Sequence, residues 1–110
     1  MKTLDTEQLK NLMESAEEFV LINVLSEEAF ENNHIPGSIN IPVEGPGFTD
    51  DVVTEVVDQD QRIVVYCADE DCPASAEAAE KLESAGYTNV YDYEGGMAAW
   101  QDDGNLVESA

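Results

Sequence analysis

Arg62-Ile63-Val64-Val65-Tyr66 is the stretch that most constrains what this chain can fold into. Three β-branched residues and a tyrosine follow the arginine without a polar interruption, so the run has no side to turn towards water. It predicts a strand buried on both faces, which requires a sheet covered by helices above and below. Phe19-Val20-Leu21-Ile22-Asn23-Val24 repeats the pattern and predicts a second buried strand. Ser38-Ile39-Asn40-Ile41, closed by Pro42, and Asn89-Val90-Tyr91 predict two shorter ones.

Helix signals alternate with these strands. The polar Met1–Lys10 stretch reads straight into a helix, with Asp5-Thr6-Glu7-Gln8 as its capping sequence and Leu9, Leu12 and Met13 at helical spacing. Ser26-Glu27-Glu28-Ala29-Phe30 predicts a short capped helix. After the turn at Pro36-Gly37 and the loop Gly45-Pro46-Gly47, Thr49 is placed to cap a helix through Val52, Val53 and Val56. Ser75 to Ala85 has high helix propensity, with Ala79 and Leu82 on its apolar face and Gly86 at its end. Gly95-Gly96 opens a last helix through Ala98, Ala99 and Trp100. The alternation predicts an α/β fold with a mostly parallel central sheet of about four to five strands and helices on both faces. No repeat or linker divides the chain, so residues 1–110 are expected to form one domain.

Charge then narrows the function. Twenty-five Asp and Glu stand against four Lys and Arg, a formal net charge of -21. A field of that sign is a poor match for nucleic acid, whose phosphates are held by Lys and Arg. Self-repulsion on this scale weakens a compact state in dilute buffer and is screened at molar salt. The acids are therefore expected to form a solvated surface suited to a salt-loving organism; an acidic patch for a basic partner is the other reading. No apolar run approaches the roughly 20 residues that span a bilayer, and the N-terminus carries no export signal pattern. A cytoplasmic protein without membrane contact is expected, and its charge favours a monomer.

Cys67 and Cys72 are too few for a disulfide-stapled scaffold, and their short separation suggests one site. In open parallel sheets ligands and chemistry gather at the carboxyl ends of the strands, and Cys67 ends the strongest strand. The loop amides after it, with the next helix N-terminus, are expected to lower the thiol pKa. A buried, inert cysteine is the alternative that position alone leaves open.

Five fragments in order then carry a resemblance: Val20-Leu21-Ile22-Asn23-Val24, His34-Ile35-Pro36-Gly37-Ser38-Ile39-Asn40-Ile41-Pro42, Val64-Val65-Tyr66-Cys67, Gly86-Tyr87-Thr88-Asn89-Val90 and Glu94-Gly95-Gly96-Met97-Ala98-Ala99-Trp100. Over essentially its whole length the chain resembles the single-domain rhodanese sulfurtransferases. The resemblance implies the rhodanese-like three-layer sandwich and a ping-pong sulfur relay. Cys67 would take the outer sulfur of a small donor such as thiosulfate and pass it, as a persulfide, to a thiol or protein acceptor. The loop Ala68, Asp69, Glu70, Asp71, Cys72, Pro73, Ala74, Ser75 would hold the persulfide, without metal or organic cofactor.

The sequence departs from the family at three places. Asn23 and Leu25 stand where members usually carry Asp and Arg, which bears on structural wiring. The loop is longer by two residues and acidic. Related phosphatases and arsenate reductases need an arginine six residues after the cysteine, and that position is Pro73. Asp69, Glu70 and Asp71 also oppose an anionic donor: a unit charge about 7 Å away contributes roughly 1 kcal/mol at an effective dielectric near 40. A helix terminus offsets at most about 2 kcal/mol. Salt is therefore expected to accelerate transfer from thiosulfate.

Cys72 has three readings: a small helix-flanking core residue, a resolving thiol that forms a Cys67–Cys72 disulfide, and, least favoured by spacing, a metal ligand with Cys67 and His34. His34, before Pro36-Gly37, reads as a structural histidine rather than half of a Cys–His dyad. Tyr66, Phe30 and Trp100 read as core, and Gly95-Gly96 as a close helix start rather than a phosphate loop. Two other functions stay open beside the sulfur relay. One is a non-catalytic rhodanese-like interaction or regulatory module; the other is a thiol–disulfide sensor using Cys67 and Cys72.

Overall fold

The computed structural model describes residues 2–109; Met1 and Ala110, the two ends of the expected domain, lie outside the described residues. Its centre is a five-stranded, wholly parallel sheet. In chain order the strands are β1 (Lys2–Leu4), β2 (Val20–Asn23), β3 (Ile39–Asn40), β4 (Ile63–Tyr66) and β5 (Val90–Tyr93). Across the sheet they run β1-β5-β4-β2-β3, which puts the most apolar strand in the middle. The helices are α1 (Thr6–Glu14), α2 (Glu27–Asn32), α3 (Phe48–Glu55), α4 (Ala74–Ser84) and α5 (Gly96–Asp102).

Side-chain alternation along β4 divides the interior in two. Ile63, Val65 and Cys67 point to one face, where Phe48 and Val52 of α3 and Ala78, Ala79 and Leu82 of α4 close over them. Val64 and Tyr66 point to the other, against Leu9 of α1 and Met97 and Trp100 of α5. Helices thus cover both faces, as the continuous apolar run requires. No helix among the described residues is long and apolar enough to cross a membrane.

Most element ends shift by a residue, and three boundaries differ more from expectation. Lys2-Thr3-Leu4, read as the approach to a helix, forms an edge strand. Three residues carry no alternation of their own; pairing with β5 makes the strand, Lys2 opposite Tyr91 and Leu4 opposite Tyr93. β5 extends past Tyr91 to Tyr93, because Asp92 breaks the apolar pattern without breaking the ladder. Gly47, not Thr49, is the N-cap of α3, and no side chain caps that helix. Burial of Phe48 anchors its start and leaves Thr49 inside the first turn. By contrast Asp5 and Gln8 form the expected capping box, and Ser26 caps α2 through the Ala29 amide.

Candidate active site

β4 ends at Tyr66, and the chain turns through residues 67–73 into α4. The loop is seated by α5. The Met97 amide donates to the Cys67 carbonyl at 3.0 Å, and the Ala98 amide donates to the Ala68 carbonyl at 2.8 Å. Gly96 makes this approach possible. Its φ is +59°, and a Cβ there would overlap the Cys67 carbonyl and press on the Ala68 and Asp69 backbone. Gly96 therefore serves close packing of α5 on the loop, whereas a Cβ at Gly95 would meet Ala99 of α5 itself.

Cys67 itself is fully buried. Its thiol lies 3.3 Å from the Cys72 carbonyl, 3.9 Å from the Asp69 carbonyl and 3.5 Å from Ser75 Oγ. Two carbonyls thus face the sulfur where a cradle of amides was expected. Burial pushes the Cys67 thiol above the ordinary range, and the Cys72 side chain adds to the rise. The hydroxyl and amide of Ser75, in the first turn of α4, pull the other way without cancelling it. The thiol pKa thus moves opposite to the expected lowering: burial and then the Cys72 side chain favour the neutral form, and only Ser75 favours the anion.

The remaining loop residues separate into two groups. Glu70, Asp71 and Pro73 are exposed and Asp69 is half-buried. Asp69 Oδ1 accepts from the Asp71 amide at 3.0 Å, which turns that carboxylate into its own loop. Cys72 is half-buried, with its amide donating to the Asp69 carbonyl at 3.2 Å. Ala74 is the first residue of α4. A cleft of about 690 Å³ opens beside the loop, lined by Cys72, Pro73, Ala74, Leu25, Pro42 and Val43, with Glu27, Glu44 and Glu77 among its walls. The loop therefore closes over Cys67 and presents Cys72 to the cleft.

The other singled-out residues are structural. His34 Nδ1 is 2.9 Å from the Phe30 carbonyl and its ring stacks on Phe30 at 3.8 Å, away from the thiol. Phe30 is only half-buried, whereas Tyr66 and Trp100 are core. Asn23, fully buried, accepts from the Leu25 amide at 2.9 Å and donates to the Tyr66 hydroxyl at 3.1 Å. It thereby wires β2 to β4. Among the described residues no group of three or more His, Cys, Asp or Glu side chains is placed to hold a metal ion.

Sequence reasoning missed Asp92. It lies on β5 directly opposite Val65, is 3% exposed, and its Oδ1 is buried with no hydrogen-bond partner. Burial pushes its carboxyl above the usual range, the Ser75 hydroxyl pulls it down, and the Glu94 charge raises it again. The signal was available: an acid at an inward position between Tyr91 and Tyr93 interrupts an otherwise apolar strand.

Comparison with known proteins bears on the same region. A sequence model of the rhodanese-like domain matches residues 5–103. The thiosulfate sulfurtransferase GlpE of Pseudomonas syringae pv. syringae is 33% identical over 100 residues, covering 91% of this chain and 87% of that protein. GlpE of Shewanella oneidensis is 29% identical over 101 residues, covering 92% and 93%. Among solved structures, the rhodanese-like domain of the Anabaena Alr3790 protein superposes with a TM-score of 0.84 at 27% identity, covering 100% of this chain and 80% of that one. A rhodanese-like domain protein from Staphylococcus aureus gives a TM-score of 0.77 at 27% identity, covering 100% and 99%.

Proposed function

This chain belongs to the rhodanese-like domain family, and we propose that it is a sulfurtransferase that carries sulfane sulfur on Cys67. The observation that supports this most is the placement of Cys67 at the carboxyl end of the central strand, with the Ser75 hydroxyl and amide on its sulfur. In the first half-reaction the Cys67 thiolate attacks the outer sulfur of thiosulfate. A cysteine–sulfur bond forms, the bond to the sulfonate breaks, and sulfite leaves with the electron pair. In the second, a thiolate or cyanide attacks the terminal sulfur of the persulfide and restores the Cys67 thiolate. The residues proposed to hold the persulfide are those of the loop, residues 68–75, and no cofactor takes part.

Because burial favours the neutral thiol, loading is expected to rise with pH through and beyond the ordinary thiol range. The acids around the loop do not exclude thiosulfate if salt screens them. The same charge supports action as a monomer. Intact-mass measurement after incubation with thiosulfate tests the proposal. A gain of one sulfur, absent in Cys67→Ala, is expected; no gain would leave the non-catalytic interaction module as the better reading, and a gain that survives Cys67→Ala would refute the role of Cys67.

Cys72 supports one addition. Its carbonyl lies 3.3 Å from the Cys67 thiol, and Cys72 lines the cleft. As a resolving thiol its thiolate would attack the inner sulfur of the Cys67 persulfide. That step forms a Cys67–Cys72 disulfide and releases hydrosulfide, and an external dithiol then supplies the two electrons that reopen it. Thiol counting after persulfide loading should show both thiols consumed in the natural chain, and Cys72 unmodified if it is only a packing residue.

A further inference from the structure

Thiosulfate is small and anionic, and the cleft of about 690 Å³ beside the Cys67 loop matches neither property. The cleft lies at the carboxyl edge of three neighbouring strands that end level, since Asn23 pairs with both Tyr66 and Asn40. Backbone bonds hold its lining in place. The Val24 amide donates to the Tyr66 carbonyl at 3.1 Å, and the Val43 amide donates to the Val24 carbonyl at 3.1 Å. Asn40 Nδ2 donates to the Leu25 carbonyl at 2.9 Å. Leu25, Pro42, Val43 and Ala74 give the cleft an apolar surface.

Three carboxylates share that lining, each from a different part of the chain: Glu27 in the first turn of α2, Glu44 after β3, and Glu77 in α4. Among the described residues no lysine or arginine lines the cleft. Glu77 has Lys81 at 3.5 Å. Glu27 and Glu44 are exposed and, among the described residues, form no salt bridge. An apolar surface set with two uncompensated anions is complementary to a chain segment that carries both methylenes and positive charge. Lysine and arginine are such residues: their stems lie along apolar surface while the charged head reaches outward.

We propose that this cleft receives the sulfur acceptor, and that the acceptor is a cationic protein segment whose cysteine is flanked by lysine or arginine. The inference deepens the sulfurtransferase reading and rests on it for the word acceptor. Cys72 lines the cleft and its carbonyl is 3.3 Å from the Cys67 sulfur, so an occupant lies against the loop that covers that sulfur. In the transfer the acceptor thiolate attacks the terminal sulfur of the Cys67 persulfide. A new sulfur–sulfur bond forms, the bond to the Cys67 sulfur breaks, and Cys67 leaves as the thiolate. Flanking cations also raise the thiolate fraction of the acceptor cysteine. The acidic surroundings that oppose an anionic donor thus favour this acceptor. At molar salt only charges in contact keep their attraction, which is why the apolar part of the lining belongs to the site.

The test is fluorescence anisotropy of a labelled peptide with two lysines on either side of a central serine, the serine standing in for cysteine so that no covalent step intervenes. The full chain is titrated in at moderate salt, with circular dichroism showing it folded. A peptide with glutamines in place of the lysines is the reference. The lysine peptide should bind about tenfold tighter, as two exposed ion pairs allow. Glu27→Gln with Glu44→Gln should abolish that difference, and Glu44→Gln alone, outside every helix, should reduce it about threefold. Glu7→Gln with Glu14→Gln removes the same charge from α1, on the other face of the sheet, and should change the Kd less than twofold.

Equal affinity for the two peptides would mark the cleft as an apolar contact for a neutral partner and overturn the proposal. Equal losses in the two double variants would overturn it too, by assigning the attraction to the net charge of the chain. So would self-association that Glu27→Gln with Glu44→Gln changes while neither peptide binds, which would give the cleft to a second copy. With cysteine restored and the chain loaded with sulfur, the lysine peptide should take the sulfur about tenfold faster below saturation. Selective binding in a chain that takes no sulfur from thiosulfate supports the cationic preference of the cleft and refutes only the sulfurtransferase reading. Sulfur passed equally to both peptides, with no difference in binding, refutes only the cationic acceptor.

Discussion

Tyr66 and Cys67 are neighbours at the end of one strand, yet they point to opposite faces of the sheet into opposite kinds of polar environment. On the α1/α5 side every bond of the Tyr66 hydroxyl is made. It accepts from the Asn23 amide at 3.1 Å and the Ile35 amide at 3.0 Å. It donates to Ser38 Oγ at 2.8 Å, because the Ser38 proton is already on the Ile35 carbonyl at 2.7 Å. On the α3/α4 side the Cys67 thiol lies at 3.3 to 3.9 Å from its partners, and Asp92 Oδ1 has none. A saturated network fixes one conformation and one protonation state. An unsaturated one leaves protons free to move. The first ties β2, β4 and the His34–Ser38 turn together; the second is where chemistry is expected.

The contrast breaks most severely if the loop loses its seat. Gly96→Ala puts a Cβ onto the Cys67 carbonyl at a backbone angle that L side chains avoid. It is expected to cost about 4 kcal/mol of unfolding free energy by denaturant titration, with faster Cys67 alkylation as the loop lifts. Tyr66→Phe attacks the saturated side. It orphans the Ile35 and Asn23 donors and should cost about 3 kcal/mol, while Cys67 alkylation stays within about twofold. An equal effect on alkylation would show that the two faces are not independent.

Asp92→Asn sharpens the contrast in the other direction. Because the Asp92 carboxyl is raised in the folded chain, its contribution to stability is fully present below the ordinary carboxyl pKa. That contribution declines as pH climbs through the folded value. The variant lacks this decline, so it should match the natural chain in acid and exceed it by about 1 kcal/mol at neutral pH. Thermal denaturation at several pH values checks the widening gap. Salt gives the smallest effect. Screening of Asp69, Glu70 and Asp71 should raise the rate of sulfur transfer from thiosulfate about threefold between dilute and molar salt, with circular dichroism showing the fold unchanged. A flat or falling rate would remove these acids from the site's electrostatics.

Much of this was legible in the sequence for a definite reason. Ile63-Val64-Val65-Tyr66 has no polar face, so it had to be central, and its end had to be where the loop chemistry lies. His34 read correctly as structural: its ring meets backbone, the Phe30 carbonyl near the end of α2. β1 was illegible because three residues become a strand only through the free edge of β5. Asp92 showed in the sequence only as an acid interrupting an apolar strand; that it faces the α4 side of the sheet follows from its pairing with Val65, which only the fold supplies.

By itself, then, the sequence determined the layers, the parallel sheet and the cysteine at its carboxyl edge, because hydrophobic period and chain order are local properties. Tertiary structure alone decided which way the dipoles around Cys67 point. The same loop residues can turn amides or carbonyls towards a sulfur. Here the grip of α5 on the Cys67 and Ala68 carbonyls leaves those of Asp69 and Cys72 facing the thiol. Its protonation is a property of that packing, and no residue pattern along the chain encodes it.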